Sequence, residues 1–492
     1  MQEEPEPGDE PAAPGAPGVE RVADLFLRGL GLVYACAFLS LWVQIGALIG
    51  SHGIAPAAEL LDYARGELGT GAALELPTLL WLTGASDWAL GGLCLVGTAA
   101  AGVLLWGRFP LAAAAVAWLA YLSLASVAEP FLSFQWDALL LEAGVVALFA
   151  ASAEPRLGVW LARALLFKLM FLSGAVKLLS GDPTWRDLTA LTYHYWTQPL
   201  PTPASALAAA LPLGMQKAST ALVLAIELGA PWGLLGPRRV RLAAGAILAA
   251  LQLAIAVTGN YGFFNLLTLL LCACLLDDGF LGRWPAPRQA RAIPWLRIPR
   301  RALAAALATA SLAIAIERLT PRYEFPRPVR ALLGVLAQFR SVNSYGLFAV
   351  MTTERPEILL EGSADGVEWR GYEFAWKPGD PARAARFTGP HMPRVDWQMW
   401  FAALGRCQSE PWFQRFLLRI LEGSRPVGSV FDENPFPDDP PRYLRSTVWQ
   451  YRFAEGDERA SGAWWSRVRT GPYCPVVTLR GGRLAVADDL PE

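Results

Sequence analysis

Four charged residues stand inside apolar runs, where charge is costly. Glu142 lies in FLSFQWDALLLEAG (131–144), which also holds Gln135 and Asp137. Lys168 and Lys177 lie in FKLMFLSGAVKLL (167–179), and Glu227 in ALVLAIELGA (221–230). A charge at the centre of a bilayer costs ~2.5–3.5 kcal/mol on insertion scales, so it must face protein or water and be paired. Depth can be counted at about 1.5 Å per residue from the short turn at 154–158. Glu142 then stands roughly 18 Å in, Lys168 roughly 13 Å and Lys177 roughly 27 Å. Glu227 also falls near mid-depth. The expectation is an internal polar cluster of Glu142 and Lys168, with Glu227 as a further member, while Lys177 reaches the interface. Such a cluster has two readings. It is an ion pair that fixes helix register, or it is a site for a substrate or a proton.

The composition demands helices that cross a membrane. The chain is 492 residues long, 54% hydrophobic and only 17% charged. Soluble domains carry roughly 25% charged residues, so this is a polytopic membrane protein. The formal net charge of −1 leaves no basic excess for nucleic acid. Apolar runs at 25–50, 88–107, 109–128, 137–153, 159–180, 218–236, 241–259, 261–276 and 302–316 predict about nine crossings. Residues 1–24 form a Pro-, Gly- and Glu-rich tail that cannot bury a core and reads as disordered. Arginines gather in alternate connections, at Arg108, at Arg156, at Arg238, Arg239 and Arg241, and in the link with Arg283, Arg288, Arg291, Arg297, Arg300 and Arg301. The positive-inside rule then places Met1 in the cytosol and the C-terminal part outside. The 181–217 connection carries Trp185, Tyr193, Tyr195 and Trp196, which suit a helix lying along the membrane surface.

After residue 325 the pattern changes. YGLFAVMT, PEILLEGS, VEWRGYEFAW and RYLRSTVWQYRF read as strands, with Asp365-Gly366 as a hairpin turn. DWQMWFAALG and EPWFQRFLLRIL have helical spacing. The expected organisation is a membrane domain at 25–320 and an extracytosolic, β-rich, sandwich-like α+β domain at 326–492. Cys407 and Cys474 in that domain can form a disulfide or remain two buried thiols. Cys36, Cys94, Cys272 and Cys274 lie in apolar helices as small hydrophobes. His52, His194 and His391 stand apart with no second ligand at metal spacing, so no metal site is expected. No phosphate loop, serine elbow or zinc-protease motif occurs, and no cofactor is expected. Asn260 and Asn265 in GNYGFFNLL read as residues that satisfy turn backbone. Trp397, Trp400, Trp412, Trp464 and Trp465 read mostly as core.

Several of these stretches together resemble a known family. FLSFQWDALLLEAG, FKLMFLSGAVKLLSGDPTWRDLTALTYHYWTQPLP, GNYGFFNLLTLLL, SYGLFAVMTTERPEILLEGSADGVEWRGYEF, RVDWQMWFAALG and NPFPDDPPRYLR look like the lipase maturation factor family, in order and over nearly the whole chain. The resemblance implies a multi-pass membrane protein, in animals of the endoplasmic reticulum, that helps secreted lipases such as lipoprotein lipase fold and assemble. It implies a lumenal C-terminal region and no established enzymatic activity. In a bacterium the matching compartment is the periplasm and the membrane the inner one. A shorter stretch, FLSGAVKLLSGDPTW, is similar to a segment of the vitamin K-dependent γ-carboxylases, in which a lysine at the position of Lys177 is the catalytic base. GSADGVEW resembles a hairpin of galactose-binding-like sandwiches. The reading that follows is a membrane-anchored chaperone with partners in the bilayer and among exported clients. The alternative is a carboxylase-like membrane enzyme using Lys177, or Lys168 with Glu142, on a lipid-soluble substrate.

Overall fold

The computed structural model describes residues 18–285, 294–320, 323–487 and 490. The tail to residue 17, Arg288, Arg291 and Glu492 lie outside the described residues. Apolar runs make helices because a chain in lipid must satisfy every backbone group internally. In the membrane region these are α1 (Glu20–Trp42), α2 (Asp87–Leu105), α3 (Pro110–Ala125), α4 (Gln135–Ala150) and α5 (Pro155–Leu179). After a short helix α6 (Ala190–Thr197), none of whose residues is exposed, come α7 (Leu213–Gly229), α8 (Arg238–Thr258), α9 (Phe264–Ala273) and α10 (Arg297–Leu319). A helix overlies each of the nine expected runs. Six are long and apolar enough to cross a membrane: α1, α2, α5, α7 with its extension to Leu235, α8 and α10. The chain is a multi-pass membrane protein.

The helix α5 is the hub, touching α1, α4, α7, α9 and α10. The helices approach closely through small residues, which let backbones meet where no hydrophobic drive operates. A Cβ on Gly158 would stand 2.2 Å from the Ala150 backbone nitrogen, and one on Gly31 would stand 2.6 Å from that of Leu105. Polar groups finish the ends. The Asp278 carboxylate accepts from the free backbone N–H groups of Glu20, Arg21 and Val22 at the start of α1. Arg163 donates to the carbonyls of Cys274 and Leu276, just past α9.

From α10 the chain turns into α11 (Arg327–Gln338), whose Leu333 packs beside Ala310 of α10. The run YGLFAVMT does not become a strand. Tyr345 is buried, and the N–H groups of Gly346 and Met351 are taken by the Gln135 and Asp182 side chains rather than by a ladder. The sheet begins only at β1 (Pro356–Ser363) and β2 (Arg370–Phe374), followed by helices α12 (Arg394–Leu404) and α13 (Pro411–Leu421). The remaining strands are β3 (Phe431–Glu433), β4 (Tyr443–Phe453), β5 (Trp465–Arg480) and β6 (Arg483–Val486). The six strands form one sheet in the order β3-β2-β1-β4-β5-β6, with antiparallel pairs throughout. This corrects the expected two-layer sandwich. α12 and α13 supply the second layer, and Phe413, Phe416, Leu417 and Ile420 cover the inner face of the sheet. The domain is β-rich and α+β. Cys407, just past α12, is bonded to Cys474 in β5.

One buried carboxyl in this domain titrates late. Asp396, in the first turn of α12, is 3% exposed, and its Oδ1 accepts from the N–H groups of Trp376 and Lys377 at 2.9 Å each. Burial raises its pKa to about 6, against the opposing pull of those bonds. Because the folded value is raised, its stabilisation is complete below about pH 4 and is lost as pH rises through about 6. Asp396→Asn keeps both bonds on its carbonyl oxygen and removes the titration. Its melting temperature relative to the parent should therefore be higher at pH 7.5 than at pH 4. An equal difference at both values would show that Asp396 is ionised at no cost.

Candidate functional site

Two buried carboxylates of the membrane helices, Asp137 and Glu142, face the seam between the bundle and the later part of the chain. Asp137, in the first turn of α4, is fully buried. Its Oδ1 accepts from Tyr121 Oη at 2.6 Å and from Arg394 Nη2 at 2.8 Å, and its Oδ2 from Arg394 Nη1 at 2.6 Å. Arg394 is the first residue of α12 and is 1% exposed. It also donates to the carbonyl of Phe131, and its own N–H reaches Gln44 on the loop after α1. A guanidinium fork matches a carboxylate in two parallel bonds, so position as well as charge is fixed. The neighbouring Met392 N–H and the His391 ring both meet Ser40 Oγ of α1.

Glu142 lies five residues further along α4. Lys168 of α5 donates to its Oε1. Its Oε2 accepts from the Asn343 backbone N–H at 3.0 Å and from Tyr345 Oη at 2.7 Å. Lys168 Nζ also stands 5.2 Å from the centre of the Tyr345 ring. Non-helical backbone at membrane depth survives only when buried in protein and supplied with partners. Glu142 supplies them, which is why a carboxylate stands in that helix.

Glu227 is not a member of this cluster. Lys177 Nζ donates to its Oε1 at 2.7 Å and its Oε2 at 2.6 Å, under the Trp185 ring at 5.2 Å. Lys177 and Glu227 are each 5% exposed, so Lys177 is not an interfacial lysine reaching water. The reason is helical period. Lys168 and Lys177 are nine residues apart, about two and a half turns, so they face opposite sides of α5. One meets α4, the other α7. The helices touch closely here, since a Cβ on Gly174 would lie 2.9 Å from Glu227 Cβ. Beyond Lys177, the His194 ring is 3.2 Å from Tyr261 Oη, which donates to Gln198. Burial, helped by the Lys177 charge, lowers the His194 pKa to about 4, so it stays neutral near pH 7.

The sheet side contributes a second fork. Arg355, just before β1, is 0% exposed. It donates to the carbonyls of Trp196, Gln198 and Pro199 at the end of α6, and faces Glu357 at 2.8 Å. Lys377 stands 3.0 Å from the other oxygen of Glu357. Asn260 bridges rather than merely closing a turn, donating to Arg386 O and accepting from Thr388 N at 2.8 Å each. Trp400 Nε1 donates to Thr197 O, and Met351 N to Asp182. Sequence reading missed Arg394, Arg355, Asn343 and Tyr345. The available signal was an arginine amid aromatic and apolar residues in PRVDWQMW, where a charge needs a buried partner. Chemically, the arrangement is a set of latches: carboxylates, cations and carbonyls are matched to one another across the seam.

Two family models match this chain. One, described as the lipase maturation factor transmembrane domain, covers residues 21–283, and the other, the lipase maturation factor C-terminal domain, covers residues 341–475. Lipase maturation factor 2 of Mus musculus is 36% identical over 92% of this chain and 83% of its own length. The Homo sapiens protein of the same name is 35% identical over 92% of this chain and 82% of its own length. Lipase maturation factor 1 of Bos taurus is 32% identical over 93% and 89%. No solved structure matches.

The Arg394–Asp137 latch can be measured by a double-mutant cycle. Removing one partner of a buried pair costs about 3–5 kcal/mol, whereas an apolar replacement of both is close to neutral. Arg394→Met alone should lower the melting temperature in detergent strongly. Adding Asp137→Leu should recover most of that loss. Additive losses would mean that the two residues do not act as a pair.

Proposed function

We propose a role from one premise: the chain belongs to the lipase maturation factor family. The role is a membrane-held maturation factor that assists exported lipases. The observation that carries it is the latched seam, in which Arg394 and Arg355 hold the sheet domain against the helices through buried ionic and carbonyl contacts. A domain fixed beside the membrane suits the handling of newly exported chains, whose transiently exposed apolar surface would otherwise aggregate. The division into a tail, a membrane domain and a sheet domain fits this role. Residues 323–351 serve as the strap between the last two.

The carboxylase-like reading gains no support. A catalytic base needs a lone pair directed at a substrate, but Lys177 is held by both oxygens of Glu227 and covered by Trp185. The same bonds make this position intolerant of losing its charge. Lys177→Gln should lower abundance, because it strands a buried carboxylate. The discriminating experiment expresses the chain in cells lacking their own lipase maturation factor and measures active secreted lipase. The wild type should restore it. Lys177→Met combined with Glu227→Leu should retain both abundance and activity. Loss of activity in the double variant at normal abundance would overturn the non-catalytic role.

We further propose nine crossings, the six long helices together with the shorter α3, α4 and α9. An odd number puts the termini on opposite sides. The basic turns at Arg108, Arg156 and Arg238–Arg241 support a cytosolic start and a sheet domain in the lumen of the endoplasmic reticulum or in the periplasm. Alkaline phosphatase fused after Glu492 should be active, and a fusion after Trp284 inactive. The reverse pattern would invert the topology.

A further inference from the structure

Three arginines share one carboxylate at the basic end of the bundle. α10 opens with Arg297, Arg300 and Arg301, and Glu154, the residue before α5, faces all three. Arg301 Nε donates to Glu154 Oε1 at 2.8 Å, while Arg297 Nε and Arg300 Nη1 stand 3.6 Å from its oxygens. Three guanidinium groups against one carboxylate leave a local charge of +2. Nearby Arg156 is loosely paired, 3.8 Å from Glu20, with a side chain 61% exposed.

This arrangement runs against elementary electrostatics. The N-terminal end of a helix is itself positive, so arginines in the first turn are unfavourable there. Arg297, Arg300 and Arg301 are also like charges at i,i+3 and i,i+4 spacing, which destabilises further. α10 has no acidic residue in its first turn to offset them. An anion from outside the chain would remove both penalties. The side chains of Arg297 and Arg301 are 63% and 55% exposed, so they can reach one.

The flanking residues say what kind of anion. Trp295 and Ile298 are 76% and 80% exposed immediately beside the arginines, and Leu303 one turn on is 55% exposed. A soluble phosphate would use the charge and leave these apolar surfaces unmet. An amphiphile would use both, with Trp at the headgroup level as interfacial tryptophans sit. Basic pockets beside membrane helices bind anionic headgroups by this logic. We propose that Arg297, Arg300 and Arg301, gathered by Glu154, form a docking site for the phosphate headgroup of an anionic phospholipid whose chains lie along Trp295, Ile298 and Leu303. The site is independent of the lipase role and lies at the opposite end of α10 from the strap to the sheet domain. Glu154 acts as the positioning residue: it holds the three side chains together without cancelling their charge.

The test uses the full chain in detergent, titrated separately with phosphatidylglycerol, phosphatidylcholine and inorganic phosphate. Melting temperature and lipid retained in native mass spectrometry are read. Phosphatidylglycerol should raise the melting temperature and remain bound, while phosphatidylcholine at the same mole fraction should do neither. Arg297→Gln with Arg301→Gln removes two largely exposed charges, so the fold is kept and phosphatidylglycerol affinity should fall by about tenfold. Glu154→Gln keeps a side-chain oxygen that gathers the arginines and removes the competing negative charge, so it should retain phosphatidylglycerol at least as well as the parent. Equal retention of the two lipids, or unchanged affinity in the double variant, would overturn the site. Stabilisation by inorganic phosphate equal to that by phosphatidylglycerol would overturn the lipid assignment in favour of a soluble anion.

Discussion

A carboxylate at membrane depth has to be paired, and the architecture of this protein follows from how three of them are paired. Glu227 finds Lys177 inside the bundle. Glu142 finds Lys168 there too, but keeps its second oxygen for Asn343 and Tyr345 of the strap. Asp137 takes its cation, Arg394, from the sheet domain. The bundle therefore arrives at its own surface with acceptors already oriented, and the later part of the chain supplies the donors. The seam is specified by geometry at each bond, not by a broad apolar contact that could slide.

Such pairs are poor sources of net stability, because the desolvation of two charges offsets most of their attraction. Their effect is on which arrangements are allowed. A slip of α12 along the bundle by one turn would move Arg394 about 5 Å and leave two unpaired charges buried. An apolar seam would forgive the same slip. The Arg355 fork acts likewise at the far edge, where three carbonyls at 196–199 converge on one guanidinium. Two forks at separated points prevent rotation as well as translation, so the sheet domain is held as one body with the helices.

The sequence made the membrane helices legible because their signal is local: long apolar runs broken by arginine-bearing turns. It made Glu142 and Lys168 legible as a pair because a common depth can be counted from one short turn. Period should have assigned Glu227 as well. Nine residues on α5 separate the two lysines by half a turn of phase, so one cluster could not hold both, and Lys177 needed its own acid. The single sheet was less legible. Alternating strands look the same whether a second sheet or a pair of helices covers their inner face, and only the order in which the strands pair decides. YGLFAVMT was misleading for a physical reason: its β-branched and aromatic residues suit a strand, yet the Gln135 and Asp182 side chains took the N–H groups of Gly346 and Met351 that a ladder would have used.

The separation of these partners along the chain also fixes an order of events. Arg394 and Asp137 are 257 residues apart, and Asn343 and Glu142 are 201 apart. Tyr121 and Asp137, by contrast, lie on consecutive helices, and α4 and α5 form a hairpin across a short turn. Local helical contacts form before distant ones, because long loops must be closed before their contacts stabilise anything. Asp137 and Glu142 are thus positioned while Arg394 and the strap are still solvated. A sheet domain that folds first keeps Arg394 in water at no cost, and docking then buries it against Asp137, its counter-charge. The seam can close only after both sides are built, and its closure then reports that each has been built correctly.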